Sequence, residues 1–165
     1  MEEGIFGNLM SVLWDYAVAV KELYQQRLIA DDKVASGKLL NSIDTFVVYN
    51  NLEYVVTIKA EDYLEYVEYG RRPGKMPPVS KILEWVKVRN IMPEPRNGKL
   101  PTPENLAWAI SKKIARDGIL PTYSLADTLE TVNRMYLPLI QEAVEKDFDA
   151  YVISTFTDVA RKIKI

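Results

Sequence analysis

An α+β fold is predicted for this 165-residue chain by three features. Long segments near both ends carry apolar residues at helical spacing. Two central runs are rich in β-branched and aromatic residues and flank an Asn-Asn pair. No internal repeat or low-complexity segment divides the chain. The expected arrangement is an N-terminal amphipathic helix, a β-hairpin or small antiparallel sheet, several short helices and a long C-terminal helix. One domain over 1–165 is expected, long enough to bury a core.

The first helix is expected over 1–29. Ile5, Leu9, Val12, Leu13, Tyr16, Val20, Leu23 and Leu28 recur at helical spacing, opposite Asp15, Lys21, Glu22, Gln25 and Gln26. Residues 30–42 read as a polar connection with a turn at Ser36-Gly37, after which Leu39, Leu40 and Ile43 return to the core. A hairpin is expected over 43–59, from runs Thr45 to Tyr49 and Leu52 to Ile58, with Asn50-Asn51 as its turn. Two strands alone are marginal, so the hairpin must pack on helices or pair with another chain.

A helix–basic loop–helix unit is expected over 61–89. The helix from Tyr63 stops at Gly70, which takes the left-handed conformation cheaply. Arg71 to Pro78 then form a stiff loop. Pro73, Pro77 and Pro78 fix φ and withhold amide donors, so the loop is expected to stay out of any sheet. The next helix, from about Val79 to Val88, turns Ile82, Leu83 and Val86 inward beside Trp85. An irregular loop covers about Asn90 to Thr102, a length that points to function or mobility. Thr102-Pro103 opens a helix over 103–117 that ends at Gly118. Ile119 to Tyr123 reads as extended. Ser124 and Asp127 resemble a capping box for the last helix, 124–163, with a kink at Pro138. Tyr151 to Thr157 is β-branched, but the apolar period continues through Val159 and Ile163, which favours helix.

The net charge of −2 conceals an asymmetry. Residues 1–70 carry 5 basic and 12 acidic side chains, 71–116 carry 11 and 3, and 117–165 carry 5 and 8. The middle band is either a solvated face or a surface that meets nucleic acid or an acidic partner. Opposite charge on one chain also suits head-to-tail contact between copies.

The chain has no histidine and no cysteine, so the commonest general base, metal ligand and thiolate nucleophile are missing. No phosphate-binding glycine motif is present. Asp31-Asp32 and Glu61-Asp62 could in principle hold a cation, but carboxylates at element ends commonly stabilise helix starts. Glu65 and Glu68 could form an acid/base pair. The alternative is that one of them pairs with Arg71 or Arg72 and fixes the loop. The tyrosines and Trp85 could stack bases, or serve as core or interface aromatics. No enzyme activity, cofactor or metal is expected. The acidic Met1-Glu2-Glu3 start does not read as a secretory signal, and no apolar run approaches ~20 residues, so no membrane contact is expected.

The order of several short motifs carries the reading further. Tyr66-Val67-Glu68-Tyr69-Gly70-Arg71-Arg72-Pro73, then Met76-Pro77-Pro78, then Ile82 and Trp85, resembles the signature of the head–tail joining or tail-completion (neck) proteins of tailed bacteriophages. Ser36 to Ile43 is similar to the segment before that family's hairpin. Ala107 to Ile114 with Gly118-Ile119 is similar to its next helix, and Pro121 to Leu125 to the opening of its last. The resemblance covers roughly 36–139.

It implies a structural virion protein, assembled in the bacterial cytoplasm. Such a protein is a homo-oligomeric ring in the head–tail connector that meets portal, neck or tail proteins and lets DNA pass. A tail terminator ring capping the tail tube, or a non-specific nucleic-acid binder using 71–116, are the alternatives. The expected subunit or partner interface is Tyr69, Gly70, Arg71, Arg72, Pro73, Lys75, Met76, Pro77 and Pro78. Lys99, Lys112, Lys113 and Arg116 are candidates to face genomic DNA.

Overall fold

The computed structural model describes residues 6–50, 53–95 and 100–163. The fold is α+β, in the order α1 (Gly7–Ala30), α2 (Lys38–Ser42), β1 (Asp44–Asn50), β2 (Glu53–Lys59), α3 (Leu64–Glu68), α4 (Val79–Val88), α5 (Pro103–Asp117) and α6 (Ser124–Ile163). The chain forms two compact units. The first comprises Met1–Tyr24, Asp44–Lys59 and Ala126–Ile165; the second comprises Gln25–Ile43 and Ala60–Leu125.

In the first unit, α1 buries Leu13, Ala17, Val20 and Tyr24. Leu13 and Val20 belong to the expected line, and Ala17 and Tyr24 lie beside it. Val12, Tyr16 and Leu23 are half-buried, and Ile5 lies outside the described residues. Thr45 of β1 donates its hydroxyl to the Ala17 carbonyl oxygen at 2.9 Å. Lys21 binds Asp44 at 3.1 Å on the same side. Tyr16 donates to Asn133 Oδ1 at 2.9 Å and meets the Tyr136 ring edge-on at 5.8 Å.

The hairpin is the two-stranded antiparallel sheet β1–β2, with Asp44 opposite Lys59 and Asn50 opposite Glu53. Asn50 therefore belongs to the ladder, and the connection is residues 51 and 52, one position later than predicted. Asn51 and Leu52 lie outside the described residues. The Tyr49 and Tyr54 rings meet across the ladder at 4.7 Å, and Lys59 sits 4.8 Å from the Phe46 ring centre.

The start of α1 is held by a residue far along the chain. Asp147 of α6, 3 % exposed, accepts from Asn8 N at 3.1 Å, Asn8 Nδ2 at 2.7 Å and Leu9 N at 2.8 Å. The first amides of a helix have no partner within it, and a carboxylate there also meets the positive end of the dipole. Burial pushes the Asp147 carboxyl up, but the hydrogen bonds from Leu9 and Asn8 outweigh it and hold the group below the usual carboxylate range. α6 is continuous across Pro138 and through 151–163, so the β-branched run Tyr151–Thr157 is helical.

In the second unit, residues 30–42 contain a helix that the polar reading passed over. Gly37, at φ 76°, starts α2, which buries Leu39. Leu39 N donates to Tyr63 Oη at 2.7 Å, and Glu61 N donates to Ser42 Oγ at 2.9 Å. Leu28, Ile43, Val86 and Ala107 are also buried, and α4 packs against α5. α5 begins as predicted, with Thr102 Oγ1 accepting from Asn105 N at 3.3 Å and Pro103 at the first helical position. It ends at Gly118, φ 77°.

Candidate interaction surface

Gly70 follows the α3 C-cap Tyr69 in left-handed conformation at φ 70°, as its missing Cβ allows. The next residue departs from expectation. Arg71 N donates to Ile119 O at 2.9 Å, and Ile119 N donates to Arg71 O at 2.8 Å, an antiparallel bridge. The elbow therefore does pair with another strand-like segment. The prolines at 73, 77 and 78 cannot donate, but Arg71 precedes them and keeps both backbone groups free for pairing.

The two glycines beside this bridge are complementary. A Cβ on Gly70 would press on the Ile119 carbonyl oxygen, and one on Gly118 would press on the Arg71 carbonyl oxygen. Each glycine leaves the gap into which the other segment's bridging carbonyl fits. A second tie follows, from Gly74 N to Ala115 O at 2.8 Å near the end of α5. The Arg71 guanidinium folds back and donates to the Lys75 carbonyl, closing the loop on itself. Pro78 precedes α4 and accepts from Lys81 N at 3.1 Å.

The segment after Gly118 is fastened along α3. Thr122 N and Tyr123 N donate to Glu68 O at 3.1 and 3.2 Å, and Thr122 Oγ1 donates to Val67 O at 2.8 Å. These bonds satisfy carbonyls that the end of α3 leaves open. Glu68 itself is 1 % exposed, and its Oε2 accepts from Leu125 N at 2.9 Å in the first turn of α6. The carboxylate expected to pair with Arg71 or Arg72 thus serves a helix start. Glu65 is exposed. Asp31 and Asp32 are also used internally. Ser124 Oγ donates to Asp31 Oδ2 at 2.6 Å, and the Arg89 guanidinium grips Asp32 while donating to Val34 O at 2.6 Å. That grip holds the Asp32 carboxyl below its usual range. Among the described residues, no group of three or more acidic side chains is placed to hold a metal.

The outcome is a fixed backbone with an uncommitted surface. Arg72, Pro73, Lys75 and Pro78 are exposed; Met76 and Pro77 are half-buried. Among the described residues, Arg72 and Lys75 side chains form no ion pair. Tyr69 is 67 % exposed and Leu120 84 %, and Tyr66, Ile119 and Tyr123 are exposed as well. Tyr63, Tyr66, Tyr69 and Trp85 are therefore exposed, whereas Tyr24 of α1 belongs to the core. Lys33, Tyr63, Tyr66, Val67, Ile119, Leu120 and Thr122 line a shallow recess of about 160 Å³.

Of the candidate DNA-facing residues, Lys112, Lys113 and Arg116 are exposed together in the last turns of α5. Lys99 lies outside the described residues. Arg116 is paired with its neighbour Asp117 at 2.7 and 2.8 Å. Lys112 sits 5.0 Å from the Trp108 ring centre, and Lys113 is exposed. Sequence reasoning missed Ile119 and Leu120 as part of the surface. Their segment reads as extended, but nothing local shows that its partner lies at Arg71. Comparison of the whole chain with known proteins finds no matching family model, no matching curated protein and no matching solved structure.

Proposed function

We propose that this chain is a structural virion protein of a tailed phage. It forms a ring in the head–tail connector that joins the portal to the tail and lets DNA through, and it performs no bond-making chemistry. The observation that carries the reading is the elbow. Its backbone is fixed by the Arg71–Ile119 bridge and the Gly74–Ala115 tie, while Arg72 and Lys75 stand in solvent beside the exposed Tyr66, Tyr69 and Leu120. A pre-set backbone lowers the ordering cost of association, and arginine with tyrosine is the composition that binding surfaces favour. The acidic and basic thirds suit head-to-tail contact, which closes into a ring.

The test is electron microscopy of assembled particles and of the isolated protein. The wild-type chain is expected as a ring at the portal vertex. Arg72→Ala is expected to stay folded and to weaken assembly. A chain that is monomeric and absent from particles overturns the reading. Tight DNA binding by the isolated monomer, falling steeply between ~50 and ~200 mM salt, would support the nucleic-acid alternative.

A further inference from the structure

The hairpin leaves a whole strand edge without a partner. Its sheet has two strands, and among the described residues no third segment pairs with either. Asn50 and Glu53 face each other across a two-residue connection, so that pair exchanges ladder hydrogen bonds. Alternation gives the same to Val48 with Val55, Phe46 with Thr57 and Asp44 with Lys59. Tyr54, Val56 and Ile58 therefore turn their N–H and C=O groups away from β1. Among the described residues, none of these backbone groups has a partner. The β1 edge is less open at its start, where Lys21 holds Asp44 and Thr45 donates to the Ala17 carbonyl of α1. The outward row of β2 carries neither proline nor charge, the usual guards of a free edge.

From this edge we infer that β2 pairs antiparallel with β2 of a second copy, about a two-fold axis at Val56. Backbone and charge select the same register. Setting Val56 opposite its own copy sets Tyr54 opposite Ile58, so every outward group meets another. Three residue pairs then form, each exchanging two hydrogen bonds. The same register sets Glu53 opposite Lys59 at both ends of the contact. Both side chains are exposed, and among the described residues neither forms an ion pair. Lys59 rests over the Phe46 ring on the same face of the sheet.

The other edge pairings lack this match. In full-length register, β2 against β1 of a second copy sets Glu53 opposite Asn50 and Lys59 opposite the Asp44 that Lys21 already holds. β1 against itself about Val47 sets Asp44 opposite Asn50. The exposed ion pairs fix the register more than they bind. Stability comes from the backbone bonds and from growth of a marginal two-stranded sheet to four strands. Such reciprocity is what a two-fold contact requires, and the contact closes on itself without propagating. The pairing thus belongs to the free protein and rests on the hairpin alone, apart from the elbow and the ring.

Sedimentation of the full-length wild type at micromolar concentration is expected to show the dimer. Val56→Pro spares the ladder, because the amide at 56 faces outward, and is expected to abolish the dimer. Glu53→Lys and Lys59→Glu each set like charges opposite one another in a dimer of that variant, and each is expected to weaken it about tenfold. Mixed in equal amounts, the two variants restore opposite charge at both ends, so the mixture is expected to regain the loss as a heterodimer. Effects within one chain are the same alone and mixed, so the mixture isolates the contact even if Val56→Pro fails to fold. A wild type that stays monomeric, a folded Val56→Pro chain that still pairs, or a mixture no tighter than its components overturns the proposal. Arg72→Ala is expected to keep the dimer, so failure of the ring reading and failure of the edge pairing are distinguishable.

Discussion

Gly70→Ala probes the bridge on which the elbow depends. The added Cβ would press on the Ile119 carbonyl oxygen and lie 2.8 Å from Pro121 N and 2.9 Å from Leu120 C. All of these are backbone atoms, so no side chain can swing aside, and the segments must separate. Separation breaks the Arg71–Ile119 pair, two hydrogen bonds of 2.9 and 2.8 Å. At ~1 kcal/mol net for each bond the loss is about 2 kcal/mol. Alanine at φ 70° adds about 1 kcal/mol of left-handed strain. Stiffening of the unfolded chain returns about 0.5 kcal/mol. The expected net destabilisation is about 2.5 kcal/mol.

Urea unfolding followed by tryptophan fluorescence measures it. Trp85 and Trp108 lie in the second unit and Trp14 in the first, so a Trp14→Phe background makes the signal report the second unit. Gly118→Ala acts on the same pair from the other side. Because the bridge breaks only once, the double variant is expected to lose about 2 kcal/mol less than the two single losses together. A loss for Gly70→Ala no larger than the ~1 kcal/mol of left-handed strain, or full additivity in the double variant, would refute the tight bridge.

Asp147→Asn is expected to weaken the first unit at neutral pH and flatten its acid response. Because the folded carboxyl is held below its ordinary range, the wild-type contribution is full above the usual aspartate value of about 3.9 and is lost as pH falls through the lowered folded value. Unfolding midpoints measured down to about pH 3 would show the variant without that limb; parallel curves would disprove the role. Glu68→Ala leaves the Leu125 amide without its carboxylate and is expected to cost the second unit about 2 kcal/mol, by urea unfolding, with Glu68→Gln milder. Tyr69→Ala removes an exposed ring and is expected to change stability by less than about 0.5 kcal/mol while reducing assembly in sedimentation; a large stability loss would make Tyr69 a structural strut.

Some of these features are written locally in the chain. Thr102-Pro103 opens α5 and Gly118 closes it, because caps depend on one residue's hydroxyl, ring or missing Cβ. Gly70 ends α3 for the same reason. The hairpin follows from side chains that suit a pleated strand, and only its turn slips by one residue. α6 reads as helix through Tyr151–Thr157 because the apolar period outlasts the β-branched run.

Tertiary structure decided what each polar end is tied to. Nothing near Gly7 announces that the α1 amides are served by Asp147, more than a hundred residues away. Nothing near Glu68 shows that its carboxylate accepts from the first turn of α6. The Arg71–Ile119 pair joins segments that each appear locally as loop and extended chain. The sequence alone determined where helices start, stop and turn an apolar face, since those depend on neighbours within a few residues. Which carboxylate meets which helix, and which charges stay in solvent, was decided only when distant backbone groups found each other, because a buried amide accepts whatever partner the fold brings.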